Sequence, residues 1–451
     1  MGNIKPELGG GLRDYLPADM IPRQKMLDTI RKVFETFGYL PLETPGIEKE
    51  VILTGGDPSF NKLIFRFKER DGDSDLALRF DLTVPLARVV AAYPQELLKP
   101  FKRYQVGQVW RGEKPQAGRF REFLQFDADV VGSASMMADA EIITLMNAVI
   151  AGLGFKNFLI RVNNRKVLNG LAAFAGFPET KTAKVLRSID KLGRMGWEAV
   201  YQELTTKPVN EYDESAVSLS PEQAAAIKRF LDLRASGKEE VLSAVENLMG
   251  NSPVALEGLR ELREIVANVR ALGVPDERWT IDLSVARGLG YYTGPVFEAI
   301  LTDLPAIGSV FSGGRYDDLV ARFSGNKLPA TGASVGVDRI FAAMEQLGIV
   351  PKQKSVAQVL ILNFDPLCVL WVQEVATKLR SAGIPTDLYL GQETTLKGQL
   401  VYAAKQEVPV VIVAGSSERE KQSLQLKDMR SRAQKIVPVG VVVDEVKKII
   451  G

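Results

Sequence analysis

Residues 101 to 130 read FKRYQVGQVWRGEKPQAGRFREFLQFDADV, and this segment determines much of the fold. Both halves are rich in Val, Tyr, Trp and Phe, and the joining GEKPQAG contains the Gly and Pro typical of a loop between strands. Side chains of a strand alternate between faces. One face then carries Arg119, Arg121, Phe123, Gln125, Asp127 and Asp129. The other is apolar except for Glu122, so the segment predicts a hairpin with one core face and one polar site.

Arginines flank the loop of this hairpin. Arg111 follows the first strand, and Arg119 and Arg121 precede the second. A guanidinium remains charged, binds phosphate oxygens with two parallel hydrogen bonds and stacks on aromatic rings. The spacing therefore favours a nucleotide-binding hairpin. The alternative is an exposed hairpin whose arginines pair with Glu113 and Glu122.

The chain contains no histidine and one cysteine, Cys368, which lies in an apolar run. The absence of histidine excludes imidazole general bases, imidazole metal ligands and Ser-His or Cys-His nucleophile systems. A single thiol forms neither an intramolecular disulfide nor a cysteine-rich zinc site, so we expect Cys368 in a core. No transition-metal site is expected.

Composition is that of an ordinary globular protein. The 451 residues are 46% hydrophobic and 25% charged, enough for two or three domains, and the net charge of +2 does not indicate a nucleic-acid partner. No apolar run reaches the roughly 18 residues of a membrane span, and the N-terminus lacks the charge pattern of a signal peptide. We expect a cytoplasmic protein that does not bind membranes.

The pattern along the chain predicts an interrupted domain. Short strands and turns up to residue 131 are followed by a helix at 137–153 and a strand, FLIRV. Amphipathic helices fill about 166–272, including a start signal at Ser220-Pro221-Glu222-Gln223, and the strand WTIDLS (279–284) resumes the sheet. We therefore predict an α+β domain in two parts, 1–165 and 276–350, interrupted by a helical insertion at 166–275.

The last hundred residues have a different pattern. From residue 355 to residue 451, strands such as AQVLIL and PVVIVAG alternate with helices, and the chain closes with a strand KIVPVGVVV. This alternation predicts a separate α/β domain with a mostly parallel sheet.

Several segments together resemble one protein family. RGEKPQAGRFREFLQ (111–125) resembles motif 2 of class II aminoacyl-tRNA synthetases, in the form found in histidyl-tRNA synthetases. GGGLRDYLP (9–17) resembles that family's opening, and LETPGIE (42–48) its motif 1, which builds the dimer interface. ARGLGYYTGPVFEAI (286–300) and SGGRYDDLV (312–320) resemble the two histidine-specific signatures, and TGASVGVDRIFAAM (331–344) resembles motif 3.

The resemblance implies an antiparallel-sheet catalytic domain, a C-terminal anticodon-binding domain and a homodimer. In this family the residues matching Asp81 and Thr83, which strand parity places on one face, bind the substrate's ammonium group. Gln125 and Asp129 match positions that hold the amino acid. The imidazole pocket is matched by Tyr291, Tyr292 and Tyr316.

The resemblance also implies the residues that bind ATP, supplied as its Mg²⁺ complex. Arg111 matches the arginine on the α-phosphate and also contacts histidine, Glu113 a carboxylate near the adenine amine, and Arg119 a second phosphate or adenine contact. Arg339 matches an arginine on the γ-phosphate, preceded by Gly332 and Gly336, where small residues allow close backbone approach.

Arg287 is the residue expected to be catalytic together with Arg111. It matches the arginine that this family places beside the α-phosphate and the substrate carboxylate. Three positions depart from the family's pattern: Gly290 replaces Asp or Asn, Leu124 replaces His or Tyr, and Asp338 replaces Glu.

The activity implied is ATP-dependent formation of histidyl-adenylate, followed by transfer of histidine to the 3′ end of tRNA(His) with release of AMP and pyrophosphate. A first alternative is a non-catalytic, histidine-sensing paralogue like the regulatory subunit of ATP phosphoribosyltransferase, which generally lacks the anticodon-binding domain. A second is a prolyl or threonyl synthetase, which shares the C-terminal domain but not the histidine signatures.

Overall fold

The computed structural model describes residues 4–56, 60, 63–68, 75–114, 120–207, 216–286, 291–350 and 352–451. Arg119, Arg287 and Gly290 lie outside these residues. The chain divides into two compact units. The larger contains the segment up to Arg13 and Leu27–Ile349; the smaller contains Asp14–Met26 and Val350–Gly451.

Helices and strands alternate irregularly through both units. In chain order the helices and strands of the described residues are α1 (Pro17–Thr36), β1 (Leu40–Pro41), β2 (Ile47–Lys49), α2 (Glu50–Thr54), β3 (Arg66–Lys68), β4 (Asp75–Leu78), α3 (Thr83–Ala92), β5 (Phe101–Trp110), β6 (Glu122–Val131), α4 (Met136–Gly152), β7 (Phe158–Asn164), α5 (Arg165–Asn169), α6 (Leu171–Ala175), α7 (Thr182–Ile189), α8 (Leu192–Thr205), α9 (Pro221–Leu231), α10 (Lys238–Met249), α11 (Pro253–Ala271), β8 (Trp279–Ile281), β9 (Pro295–Leu301), β10 (Ser309–Arg315), α12 (Ala321–Ser324), β11 (Ala330–Gly336), α13 (Val337–Gln346), β12 (Val359–Ile361), α14 (Val369–Ser381), β13 (Thr386–Leu388), α15 (Leu396–Gln406), β14 (Val410–Val413), α16 (Ser416–Glu420), β15 (Ser423–Asp428), β16 (Gln434–Pro438) and α17 (Val442–Ile450).

The larger unit is built on an eight-stranded sheet in the order β1-β5-β6-β11-β10-β9-β7-β8. All pairs are antiparallel except the two at the edges, β1 with β5 and β7 with β8. A second, three-stranded sheet has the order β2-β4-β3. The predicted antiparallel-sheet α+β architecture is confirmed.

The predicted hairpin is formed by β5 and β6. Asp129 lies opposite Arg103 on β5 and opposite Gly332 on β11. The apolar face carries Phe126, whose ring meets Phe34 edge-on at 5.0 Å between centroids. Because Phe126 and Phe34 are fully buried, this face belongs to the core and the polar side chains of β6 point to the opposite side.

The strand parity predicted for residues 79–84 is wrong. β4 ends at Leu78, and Thr83 is the first residue of α3. The Asp81 carboxylate accepts a hydrogen bond from the amide of Val84 at 3.1 Å, which satisfies one of the unpaired N–H groups of the helix's first turn. Asp81 and Thr83 are therefore brought together by a helix start rather than by the period of a strand.

The helical segment between β7 and β8 comprises α5 to α11. At its predicted start signal, the Ser220 hydroxyl accepts from the Gln223 amide and caps α9, and the Gln223 side-chain oxygen accepts from the Ser220 amide at 2.9 Å. The segment is fixed to the sheet where β7 ends. The Asn164 side chain donates to Glu261 on α11 at 2.7 Å, and Lys166 bonds the same carboxylate at 2.6 Å.

The smaller unit contains a five-stranded sheet in the order β13-β12-β14-β15-β16. β12 pairs in parallel with β13 and β14, whereas β14, β15 and β16 are antiparallel, so the sheet is mixed and not mostly parallel. The segment SLQLKD forms β15, a strand that the sequence pattern did not predict. The predicted last strand, KIVPVGVVV, is only partly a strand, because β16 ends at Pro438 and α17 begins at Val442. Cys368 is buried at 1% exposure, as predicted.

Candidate active site

A cavity of about 460 Å³ opens on the polar side of the eight-stranded sheet. Its walls come from β6, β10 and β11, from the end of β5, from the segment before α3 and from the start of α13. Among its lining residues are Asp81, Thr83, Arg111, Glu113, Phe123, Gln125, Asp127, Asp129, Tyr291, Tyr292, Ser334, Asp338 and Arg339. Within the described residues, no group of three or more Cys, Asp or Glu side chains is arranged to hold a metal ion.

Asp81 is the acidic residue contributed by the segment before α3. It is 3% exposed, and burial raises the pKa of its carboxyl to about 6. One oxygen accepts from Val84, while Oδ2 is buried and has no hydrogen-bond partner among the described residues. A buried carboxylate oxygen without a partner is costly, so Asp81 is suited to accept a hydrogen bond from a ligand.

Asp129 is held by a charge pair and by a phenol. Arg103, which is fully buried, lies with Nη2 2.8 Å from Oδ2 of Asp129. The Tyr316 hydroxyl donates to Oδ1 of Asp129 at 2.5 Å. Gly332 faces the same carboxylate, and a Cβ at this position would collide with Oδ1. The close approach predicted for Gly332 is confirmed, because its missing side chain is what lets Asp129 lie across the sheet.

Gln125 and Asp127 continue the polar row of β6. The Gln125 amide donates to the Ser334 hydroxyl at 2.6 Å. Burial raises the pKa of Asp127 to about 7, although the charge of Arg103 and a hydrogen bond between Asp127 and Ser334 both oppose this shift. Gln125 Oε1 and Asp127 Oδ1 have no hydrogen-bond partner among the described residues.

Two tyrosines form an aromatic wall beside these carboxyls. The rings of Tyr291 and Tyr292 meet edge-on at 5.1 Å between centroids, and Tyr291 meets Tyr316 at 6.0 Å. Burial, followed by the charge of Asp129, raises the pKa of Tyr292, so its hydroxyl stays protonated. Tyr316 lies behind these residues and contacts the cavity lining through the Asp129 carboxylate and the Tyr291 ring.

Arg111 marks the outer half of the cavity. It follows β5, and its Nε donates to the carbonyl of Phe80 at 3.1 Å. Its guanidinium lies over the Phe123 ring, 5.1 Å from the centroid. These two contacts orient the guanidinium, and Arg111 lines the cavity, an arrangement suited to an anion.

Arg339 and Asp338 lie in the first turn of α13. Arg339 donates to the carbonyl of Ser309, and Asp338 accepts from the amide of Leu124 at 3.0 Å. The shorter carboxylate that replaces the family's Glu thus ties α13 to β6. At Gly336 a Cβ would make only ordinary contacts of 3.6 Å or more with the described residues, so the protein itself leaves room there.

The helical segment also contributes to the cavity. Asp190, directly after α7, is one of the lining residues although it is about sixty positions from β6 in sequence. Nothing in the local pattern indicated it. Arg103 was also missed, but the alternation of polar residues along β5 opposite those of β6 is a signal that could have found it.

The comparisons with known proteins agree with this arrangement. The family described as histidyl-tRNA synthetase matches residues 11–340. This chain belongs to the histidyl-tRNA synthetase family. A second family, described as an anticodon binding domain, matches residues 358–449. The recognition made from the sequence motifs is confirmed.

Individual members of the histidyl-tRNA synthetase family match over nearly the full chain. A histidine–tRNA ligase of Paracoccus denitrificans is 43% identical over 94% of this chain and 90% of its own length. One of Rhodopirellula baltica is 41% identical, covering 95% and 94%. The crystal structure of histidyl-tRNA synthetase from Nostoc superposes with a TM-score of 0.86 at 32% identity, covering 99% of this chain and 100% of that one.

The same fold occurs in a solved structure from Bacillus halodurans. That protein is titled an ATP phosphoribosyltransferase regulatory subunit/histidyl-tRNA synthetase and superposes with a TM-score of 0.74 at 23% identity, covering 92% of this chain. The likeness shows the shared fold alone. The regulatory paralogue is the less supported alternative, because relatives named histidine–tRNA ligases match over nearly the full chain.

Proposed function

We propose that this chain is a histidine–tRNA ligase that activates histidine with Mg²⁺–ATP and transfers it to the 3′ end of tRNA(His). The supporting observation is one cavity with two chemically different halves. Buried acceptors of Asp81, Gln125 and Asp129 occupy one half, and Arg111 and Arg339 line the other. Acceptors without partners suit an amino acid's N–H groups, and arginines suit a triphosphate.

The buried half is proposed to bind the ammonium group. An ammonium has three N–H donors, and Asp81 Oδ2, the Thr83 hydroxyl and Gln125 Oε1 provide three acceptors on adjoining walls. Asp129, positioned by Arg103 and Tyr316, faces the side chain of the amino acid. The histidine carboxylate would then extend toward Arg111.

The first step is proposed to need alignment and charge compensation rather than a base. The histidine carboxylate is ionised at neutral pH and attacks the α-phosphorus directly. Arg111, oriented by Phe80 and Phe123, is proposed to bind the α-phosphate, with Glu113 near the adenine amine and Arg339 on the γ-phosphate. Arg119 and Arg287, outside the described residues, retain their roles by resemblance. Together these arginines would stabilise the charge that develops in displacement of pyrophosphate.

The second step transfers histidine to the terminal ribose. Because the chain has no imidazole, a histidine side chain cannot take the ribose proton. By resemblance, an oxygen of the adenylate's own phosphate accepts it.

We propose that residues 166–275, which place Asp190 at the cavity, form an insertion between the catalytic segments 1–165 and 276–350.

Residues 355–451 are proposed to bind the anticodon. A groove on α15 is lined by Lys397, Tyr402 and Lys405, and the Tyr402 ring packs edge-on against Tyr389 at 5.1 Å. A fixed aromatic ring between lysines suits a stacked base and its phosphates.

The proposed assembly is a homodimer in the cytoplasm. The segment that resembles motif 1 and its neighbours expose large apolar side chains: Leu40 is 57%, Ile47 49% and Val51 63% exposed. Exposed large apolar residues within twelve positions of the chain support an interaction surface at this segment. No described helix is both long enough and apolar enough to cross a membrane.

Exchange of labelled pyrophosphate into ATP tests the proposal, with Mg²⁺ and each of the twenty amino acids in turn. Exchange that depends on histidine alone would support both the adenylating activity and its specificity. A folded protein that binds histidine but exchanges with no amino acid would contradict the proposal and favour the regulatory paralogue.

A further inference from the structure

The inner half of the cavity holds more hydrogen-bond acceptors than a neutral histidine ring can use. The three acceptors proposed for the ammonium are those of Asp81, Thr83 and Gln125. Two carboxylates then remain, Asp127 and Asp129, two positions apart on the same face of β6 and at most 3% exposed. Asp127 Oδ1 has no partner among the described residues.

Among the described residues no hydrogen bond joins Asp127 to Arg103, although Nε and Nη1 of Arg103 are buried and have no partner there. Arg103 lies against Asp129 at 2.8 Å, and its Nη2 also donates to the carbonyl of Leu82 at 3.1 Å. One buried guanidinium thus acts on three carboxyl groups, those of Asp127 and Asp129 on β6 and that of Asp81 before α3. In the part of the chain that the structure describes, the ionisable groups that act on Asp127 are Arg103 on β5, Asp129 on β6, Asp81 before α3, Arg79 after β4, and Tyr291 and Tyr292 before β9.

Counted over the described residues, which do not include Arg119 or Arg287, this excess of negative groups favours positive charge in the ligand. Arg79 is committed elsewhere, because it donates to the carbonyls of Gln108 and Thr44 at 2.8 and 2.6 Å. The ammonium of histidine supplies one positive charge. A protonated imidazole ring would supply a second, together with two ring N–H donors, whereas a neutral ring has one donor and one acceptor.

We propose that the pocket binds histidine with its ring in the imidazolium form, and that Asp127 is a specificity-determining residue that accepts the second ring N–H. The first ring N–H is directed to Asp129. A neutral ring would direct a nitrogen lone pair at a carboxylate, which is repulsive. This inference rests on the proposed function, because it requires histidine to occupy the cavity as described above.

Nitrogen NMR of bound histidine measures the ring's protonation directly. Histidine labelled with ¹⁵N in the ring is bound to the unmodified protein at about pH 8, where the free ring is neutral. We expect both ring nitrogens to show the shifts of an imidazolium in the complex. Two separated signals, typical of a neutral ring that accepts from the Tyr292 hydroxyl, would overturn the proposal.

The Asp127→Asn variant tests the residue. Asparagine keeps the shape of the side chain and removes its charge, so we expect bound histidine to return to the neutral form at about pH 8. An imidazolium that persists in this variant would refute the role of Asp127. The thermal unfolding midpoint of the variant establishes that it is folded.

A second readout uses 2-fluorohistidine, which has nearly the shape of histidine but a ring that stays neutral near pH 7. In pyrophosphate exchange the unmodified protein should prefer histidine over the analogue by kcat/KM. Asp127→Asn should reduce this preference by roughly tenfold or more, because its site no longer selects a charged ring. An equal preference in both proteins would contradict the inference.

Asp81→Asn separates failure of the inference from failure of the site. If Asp81→Asn raises the KM for histidine while the bound ring is neutral in the unmodified protein, the histidine site stands and the imidazolium proposal falls. If neither Asp81→Asn nor Asp127→Asn changes the KM for histidine, the cavity is not the histidine site and both proposals fail.

Discussion

Replacing Asp127 by asparagine is expected to stabilise the unliganded protein, and increasingly so as pH rises. Burial raises the pKa of Asp127 to about 7 in the folded protein, above the value of about 3.9 for an exposed aspartate. The folded state therefore retains a proton that the unfolded chain has released. The contribution of Asp127 to the free energy of unfolding is complete below the pKa that this carboxyl has in the unfolded chain. It is lost as the pH rises through the pKa that it has in the folded protein.

The size of the stability difference follows from the interval between the unfolded and folded pKa values of Asp127, taken from pH 5 upward. From pH 5 to about 7 the two states differ by one proton, which costs about 1.4 kcal/mol per pH unit and reaches roughly 3 kcal/mol at most. Asparagine has no such cost. The unfolding temperature of Asp127→Asn is therefore compared with that of the unmodified protein at each pH. For a unit of this size, this difference should be larger at pH 8 than at pH 5 by on the order of 5 °C.

Calorimetric unfolding from pH 5 to pH 8 provides the assay, with the unmodified protein, Asp127→Asn and Glu96→Gln as a matched control. Glu96 is an exposed carboxylate of the same unit, so its substitution should shift the unfolding temperature by a small, constant amount. Because Asp127→Asn also alters hydrogen bonding to Ser334, the change with pH is the informative quantity. A constant offset between Asp127→Asn and the unmodified protein across this range would refute the reasoning.

Four further substitutions, one of them a control, test other parts of the protein. Gly332→Ala should displace the Asp129 carboxylate and raise the KM for histidine roughly tenfold or more. The control Gly336→Ala, at a position where space is available, should change the KM little. Similar KM values for the two variants would contradict the close packing of Asp129 against Gly332. Arg287→Ala should abolish pyrophosphate exchange while histidine binding by calorimetry persists, and unchanged turnover would refute its role. Tyr402→Ala should lower kcat/KM for tRNA by about tenfold through loss of one stacked base while leaving pyrophosphate exchange intact; equal aminoacylation would count against the anticodon groove.

The hairpin was readable from sequence because a strand has a period of two. Gln125 and Asp129 share a face only if the pairing keeps its register, and the buried Phe126 fixes that register by occupying the opposite face. The same rule failed at Thr83. There the chain turns into a helix, and the local sequence is apolar enough to suit either element.

Other parts of the site depend on contacts that no local pattern records. Asp190 reaches the cavity through the packing of a helical segment, and the pairing of Arg103 with Asp129 depends on strand register. The sequence also gave no reason to expect that a side chain would fit at Gly336 but not at Gly332. Only the position of the Asp129 side chain shows that one of them requires the absence of a Cβ.

The buried acceptors without partners bear on the accuracy of translation. An amino acid of similar size that lacks ring N–H groups would leave Asp127 Oδ1 desolvated and without a partner when it occupied the cavity, and it would give Asp129 no donor beyond Arg103 and Tyr316. Sites built to hydrogen-bond their substrate reject such analogues by roughly 10⁴-fold or more, far beyond what a missing methylene achieves. Selection at this level, made in the first step, would leave little mischarged tRNA for a separate hydrolytic site to correct.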